Sequence, residues 1–115
     1  MAINSARTRK LDTAFSALAD PTRRAILKRL AAGEATVSQL MKPFDLSQPT
    51  ISKHLKVLED AGFVERGRDA QMRPRKLVLV AFNDVADWIE PFRQQWEGRF
   101  DNLDSYLSAM KKKEK

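Results

Sequence analysis

Residues 47–58 read Ser-Gln-Pro-Thr-Ile-Ser-Lys-His-Leu-Lys-Val-Leu, and their spacing sorts them by chemistry. At about 100° per residue, Ile51, Leu55 and Leu58 fall on one narrow helical stripe that must face a core. Pro49, Ser52, Lys53 and Lys56 lie roughly opposite, with Gln48, Thr50 and His54 on the flanks. The outward face carries an amide, hydroxyls and cations on a short rigid element. Such groups read base edges in the major groove: Gln pairs with adenine, Lys with guanine, and hydroxyls with several edges. The first turn of the helix also offers unpaired N–H groups to phosphate. The expectation is that Gln48, Thr50, Ser52 and Lys53 read bases while Ser47 and Lys56 hold phosphates. His54 is expected near the DNA backbone or packed beside Leu58. The plain alternative is a solvated helix face.

A second cationic cluster follows. Arg66, Arg68, Arg73, Arg75 and Lys76 crowd a short segment that reads as a hairpin. Like charges on facing strands repel unless a partner neutralises them. Arginines near a hairpin tip suit phosphate or a narrow minor groove, so all five are expected at DNA.

Other chemistries lack their parts. The chain has no cysteine, and His54 is its one histidine, so neither a metal site nor a cysteine nucleophile is expected. Asp84/Asp87 and Asp101/Asp104 are each three apart, a spacing shared with any exposed acidic helix face. The four glycines form no phosphate-binding loop. Neither catalysis nor a cofactor is expected.

The elements that position these groups are marked by local signals. Leu11, Ala14, Phe15 and Leu18 recur at helical spacing, which predicts a helix near 9–19. Asp20 caps a second helix, with Pro21 at its first position, Ala25, Ile26, Leu27 and Leu30 on its apolar stripe and Gly33 at its end. Thr36-Val37-Ser38-Gln39 has the form of a capping box and opens a third helix that stops near Phe44. Asp45-Leu46 turns the chain, Ser47 caps a fourth helix to Ala61, and Gly62 terminates it. Residues 37–61 thus read as a helix-turn-helix. Strands are predicted at Phe63–Arg68 and Leu77–Phe82 around a polar turn at 69–72, which places a wing at 63–82. A C-terminal helical region is predicted over about 84–110, with a kink or break at Pro91. The fold class is mainly α: a single domain over 1–115, built as a winged helix-turn-helix with a β-hairpin wing and added N- and C-terminal dimerisation helices.

Two blocks carry a family resemblance. Ala19-Asp20-Pro21-Thr22-Arg23-Arg24-Ala25-Ile26-Leu27 resembles the second-helix signature of the ArsR-type (arsenic-repressor-like) regulators. Ser47 to Leu58, followed by Glu59-Asp60-Ala61-Gly62-Phe63-Val64, resembles their recognition helix and the start of their wing. The blocks fall in the family's order and spacing over about residues 11–82, with weaker similarity through Leu107. The resemblance implies a dimeric repressor that sits on an operator and leaves when a signal arrives. Metal-sensing members carry cysteines near the third helix, or histidine and carboxylate sets near the C-terminal helix. This chain has neither, so what carries over is the fold and DNA binding without metal sensing, and the inducer is unknown.

Apolar side chains collect at both ends of the chain. Leu11, Phe15 and Leu18 lie in the first helix, and Phe92, Trp96, Phe100, Leu103 and Leu107 continue at spacings of three and four in the last. The two stripes are expected to form one homodimer interface. A net charge of +6, from 21 Lys and Arg against 15 Asp and Glu, suits a polyanionic partner. No apolar run approaches the ~20 residues needed to cross a bilayer, and residues 1–10 are too polar for a leader. The expected location is the cytoplasm, and the expected partners are a double-stranded DNA operator and a second copy. An alternative of a different class is an adaptor that reuses the fold to bind another protein. Late elution from heparin and a steep salt dependence would mark the DNA-binding reading.

Overall fold

The computed structural model describes residues 5–68 and 72–113, and the side chains of all of these except 99–105 and 111–113. In chain order it contains α1 (Ala6–Leu18), α2 (Pro21–Ala31), α3 (Val37–Phe44), α4 (Gln48–Asp60), β1 (Val64–Arg66), β2 (Arg75–Leu77), a 3-10 turn over Leu79–Phe82, and α5 (Asn83–Lys113). These fall into two compact units, Met1–Asn83 and Asp84–Lys115, where the sequence predicts one domain. The first unit is the winged helix-turn-helix that the sequence predicts.

Each helix of the first unit starts where a side chain can satisfy its free N–H groups. The Asp20 carboxylate accepts from the Arg23 N–H at 2.9 Å, with Pro21 in the first turn of α2. Thr36 and Gln39 form the reciprocal capping box that opens α3. Ser47 Oγ accepts from the Thr50 N–H and so starts α4. At the end of α4, the Gly62 N–H donates to the Glu59 carbonyl and the Phe63 N–H to the Leu58 carbonyl, a Schellman closure. That closure needs φ of +84° at Gly62, which glycine adopts without a Cβ clash. The turn between α3 and α4 uses a left-handed Asp45, φ +51°, one of the few side chains that tolerates this conformation.

The Asp-Pro-Thr-Arg-Arg block also closes α1. Arg23 Nε donates to the Ala17 carbonyl at 2.7 Å, and Arg24 Nη1 donates to the Leu18 carbonyl at 2.8 Å. Both guanidiniums satisfy carbonyls that the end of α1 leaves unpaired, and their charge suits the negative pole of that helix.

The core of this unit is built from Ala14 and Ala17 of α1, Ile26, Leu27 and Leu30 of α2, Leu40 of α3, and Ile51, Leu55 and Leu58 of α4, closed by Ala35, Phe63 and Val64. The stripe of Ile51, Leu55 and Leu58 is fully buried, as the spacing requires. Each such side chain contributes roughly 1.5–3 kcal/mol through its burial. Phe82 from the 3-10 turn packs on Phe63, with ring centroids 4.6 Å apart. In α1 the small Ala14 and Ala17 face inward, which leaves Leu11, Phe15 and Leu18 only half-buried.

The hairpin is shorter than predicted. β1 and β2 pair antiparallel with Val64 opposite Leu77, Glu65 opposite Lys76 and Arg66 opposite Arg75. The second strand is therefore Arg75–Leu77 and not Leu77–Phe82. The chain leaves the sheet at Val78, whose N–H donates to the Phe63 carbonyl, and then coils into the 3-10 turn. Gly67 lies against Pro74 and donates its N–H to the Pro74 carbonyl at 2.7 Å. A Cβ on Gly67 would sit 2.9 Å from Pro74 Cγ, so any other residue here requires the hairpin to shift. Most of the predicted tip at 69–72 lies outside the described residues. Ala35 adds a third rung: its N–H and carbonyl both pair with Arg75.

In the second unit, α5 passes through Pro91 without ending. The predicted break does not occur. The hydrogen bond that Pro91 cannot donate would end on Asp87, which is exposed, so water can take its place. Trp88 and Phe92 pack ring on ring at 5.0 Å, and Arg93 bridges Glu90 and Glu97 on the same helix.

Candidate nucleic-acid interface

α4 presents its polar residues as the spacing predicts. Ser47, Gln48, Lys53 and Lys56 are exposed, and Thr50, Ser52 and His54 are half-buried at the margins of that face. Ser47 Oγ and Thr50 Oγ1 are 2.9 Å apart, so the two hydroxyls orient one another at the first turn. Lys56 Nζ donates to Asp60 Oδ1 at 2.9 Å, with both side chains more than half exposed. An exposed pair of this kind is worth about 0–1 kcal/mol and yields readily to a phosphate.

His54 lies within electrostatic range of Asp20, the cap of α2. The Arg23 N–H holds the Asp20 carboxyl below the usual carboxylate range, and the charges of His54 and Arg23 add to the effect. Among the described residues, no group of three or more His, Asp or Glu side chains gathers in a metal-binding arrangement.

The five wing cations divide by environment. Arg68, Arg73 and Lys76 are exposed. Arg75 is buried: its Nε donates to Glu59 Oε1 at 2.8 Å and its Nη1 to the Arg73 carbonyl. Arg66, directly opposite on β1, also donates through Nε to both oxygens of Glu59, at 3.2 Å each. The like charges facing each other across the hairpin are thus bridged by a carboxylate of this chain, which offsets one of the two. Glu59 escaped the sequence reading. It lies seven residues from Arg66 and sixteen from Arg75, separations that carry no periodic signal.

The expected pairing residues are also placed. In α1, Leu11, Phe15 and Leu18 are half-buried. In α5, Phe92, Trp96 and Leu107 are exposed, as are Trp88, Ile89, Tyr106 and Met110. The side chains of Phe100 and Leu103 lie outside the described residues. No helix among the described residues is long and apolar enough to cross a membrane.

Comparison with known proteins agrees with this architecture. Residues 20–66 match the family model described as "Bacterial regulatory protein, arsR family". The chain is 33% identical over 82 residues to the transcriptional repressor SdpR of Bacillus subtilis, covering 71% of this chain and 91% of that one. It is similar to the crystal structure of an ArsR family transcriptional regulator, RHA00566, with a TM-score of 0.68 and 42% identity over 76% of this chain and 97% of that one. It is also similar to the solution structure of Mb0332 from Mycobacterium bovis, described as a homodimeric winged helix-turn-helix DNA-binding domain. There the TM-score is 0.59 and the identity 26%, over 77% of this chain and 80% of that one. With a capped recognition helix, a wing locked to its end and a repressor aligned along nearly its whole length, this chain belongs to the ArsR family of bacterial regulatory proteins, which are winged helix-turn-helix DNA-binding regulators.

Proposed function

We propose that the chain is a homodimeric repressor that occupies a pseudo-palindromic operator and competes with transcription initiation. The observation that carries this reading is the exposed amide, hydroxyl and ammonium face of α4, held outward by the buried Ile51, Leu55 and Leu58. Gln48 and Lys53 read base edges, with the Thr50 and Ser52 hydroxyls beside them. Ser47 and Lys56 hold phosphates, and His54 lies along the backbone. Arg68, Arg73 and Lys76 anchor the flank through the wing. Arg66 is shared between Glu59 and the DNA, whereas Arg75 is assigned to the fold because it is buried on Glu59.

The helix-turn-helix (37–61) and wing (63–82) form the reading head, and α1 and α5 form the dimer interface. Two reading heads related by a two-fold axis match half-sites about 34–36 Å apart. The homodimeric state of the Mycobacterium bovis relative supports the pairing. The activity is binding without catalysis, in the cytoplasm, and release follows a signal other than metal.

The test is selection of bound duplexes from a random DNA pool. The expected result is an enriched inverted repeat whose affinity falls steeply with salt. A pool that shows no enrichment, with weak retention on heparin, would favour the protein-binding adaptor.

A further inference from the structure

We propose that Glu59 is a positioning residue for DNA recognition: its carboxylate, clamped between the Arg66 and Arg75 guanidiniums, holds the wing in register with the recognition helix. The inference rests on the DNA-binding reading above and goes beyond it by assigning a role to a residue that does not touch DNA.

Three observations converge on this point. Glu59 is in the last turn of α4, and its side chain is 15% exposed. It accepts from one arginine on each strand of the hairpin, Arg66 on β1 and Arg75 on β2. Arg75 is itself fixed at three places: Glu59 through Nε, the Arg73 carbonyl through Nη1, and Ala35 through both backbone bonds. Arg73 has φ of +36°, so the guanidinium grips the backbone where the wing turns back. The carboxylate therefore links the end of the helix to both strands, and through Arg75 to the returning limb of the tip. Hydrogen bonds from opposite strands constrain direction as well as distance, and charge-assisted bonds are the strong kind.

Plain electrostatics predicts the opposite consequence for removing this group, which makes the inference decidable. A carboxylate at the end of a recognition helix repels phosphate. Removing it makes each subunit one unit more positive and should tighten binding to any duplex. A positioning role predicts a selective loss: the chosen sequence is bound less well because the wing no longer meets the flank while α4 sits in the groove.

The experiment uses the full chain and its Glu59→Gln and Glu59→Ala variants. The probes are a duplex selected from the random pool and a scrambled duplex of equal length, titrated over a range of salt. Urea unfolding first fixes conditions in which each protein is folded. A wild-type preference for the selected duplex checks the underlying reading. We expect Glu59→Ala to lose about tenfold or more of that preference, with affinity for the scrambled duplex unchanged or increased. Glu59→Gln retains an oxygen that accepts from Arg75, so its preference should fall in between. Arg68→Ala should weaken the selected complex less in the Glu59→Ala background than in wild type, because the wing is already misplaced. Preference kept within about twofold in both variants would overturn the inference, as would an equal loss on both duplexes. Should Glu59→Ala fail to fold, Glu59→Gln decides alone: a fall of about threefold or more supports the inference and no fall overturns it. A wild type without preference would sink the DNA-binding reading as well, an outcome distinct from a wild-type preference that the variants keep.

Discussion

Asp20 lies at the junction of α1 and α2. It accepts from the Arg23 N–H at the start of α2, while the Arg23 side chain reaches back to the end of α1. The hydrogen bond holds the pKa of the folded carboxyl below its usual value. A depressed folded value means that this contribution to stability is present above the unfolded value, about 3.9, and is lost as pH falls through the folded value. Asp20→Ala should lower the melting temperature at neutral pH. Asp20→Asn, which caps without titrating, should retain most of it. Thermal melts between neutral pH and the acid limb should show the wild-type advantage over Asp20→Ala fading below about pH 4; an advantage constant with pH would place the effect elsewhere. The reading residues should separate in a different way. Gln48→Ala should cost about 1–3 kcal/mol on the selected operator and relax preference at particular base pairs. Arg68→Ala should weaken all duplexes more evenly and flatten the salt slope by about one per contact in each subunit. Identical, sequence-independent losses in the two variants would erase the division between reader and anchor.

Helix starts were legible in the sequence because capping is local chemistry: Asp20, the Thr36–Gln39 box and Ser47 each act within three residues. The inward stripe of α4 was legible because burial follows helical period. The wing was legible in existence but not in register. The Leu77–Phe82 run has strand composition, yet the pairing that ends it is the bond from Val78 to Phe63, which local composition does not encode. The role of Arg75 was hidden for the same reason. An arginine in a basic hairpin reads as a ligand for phosphate until its distant carboxylate is seen. Gly67 shows how tightly the hairpin closes. Gly67→Ala forces a Cβ to 2.9 Å from Pro74 Cγ and 3.3 Å from the Pro74 carbonyl oxygen, so one strand must shift. It should lower the urea midpoint and weaken DNA binding, and Gly67→Ser should do the same. Wild-type affinity in Gly67→Ala would show that the wing tolerates a different closure.

Assembly is where the exposed apolar surface finds its explanation. A 31-residue helix with Trp88, Phe92, Trp96, Leu107 and Met110 open to water presents a surface that monomeric proteins rarely leave uncovered. The chain should be a dimer at micromolar concentration. Trp96→Glu combined with Leu107→Glu should give monomers with poor operator affinity, because each half-site would then be bound alone. Light scattering that reports about 13 kDa for wild type would refute the pairing.

The two backbone bonds between Ala35 and Arg75 tie a knot-like seam around the whole helix-turn-helix, since the chain leaves the seam at Ala35 and returns to it at Arg75. Either amide trades its hydrogen for deuterium only when this seam opens, whether the wing separates locally or the whole loop comes apart. In a deuterium-uptake experiment, Ala35 and Arg75 should be among the last amides to exchange. Fast uptake at Ala35 would mean that the wing peels away from the helices while they stay folded. Slow uptake, equal with and without DNA, would mean that the protein meets its operator as a preassembled tool whose parts do not wait for the DNA to arrange them.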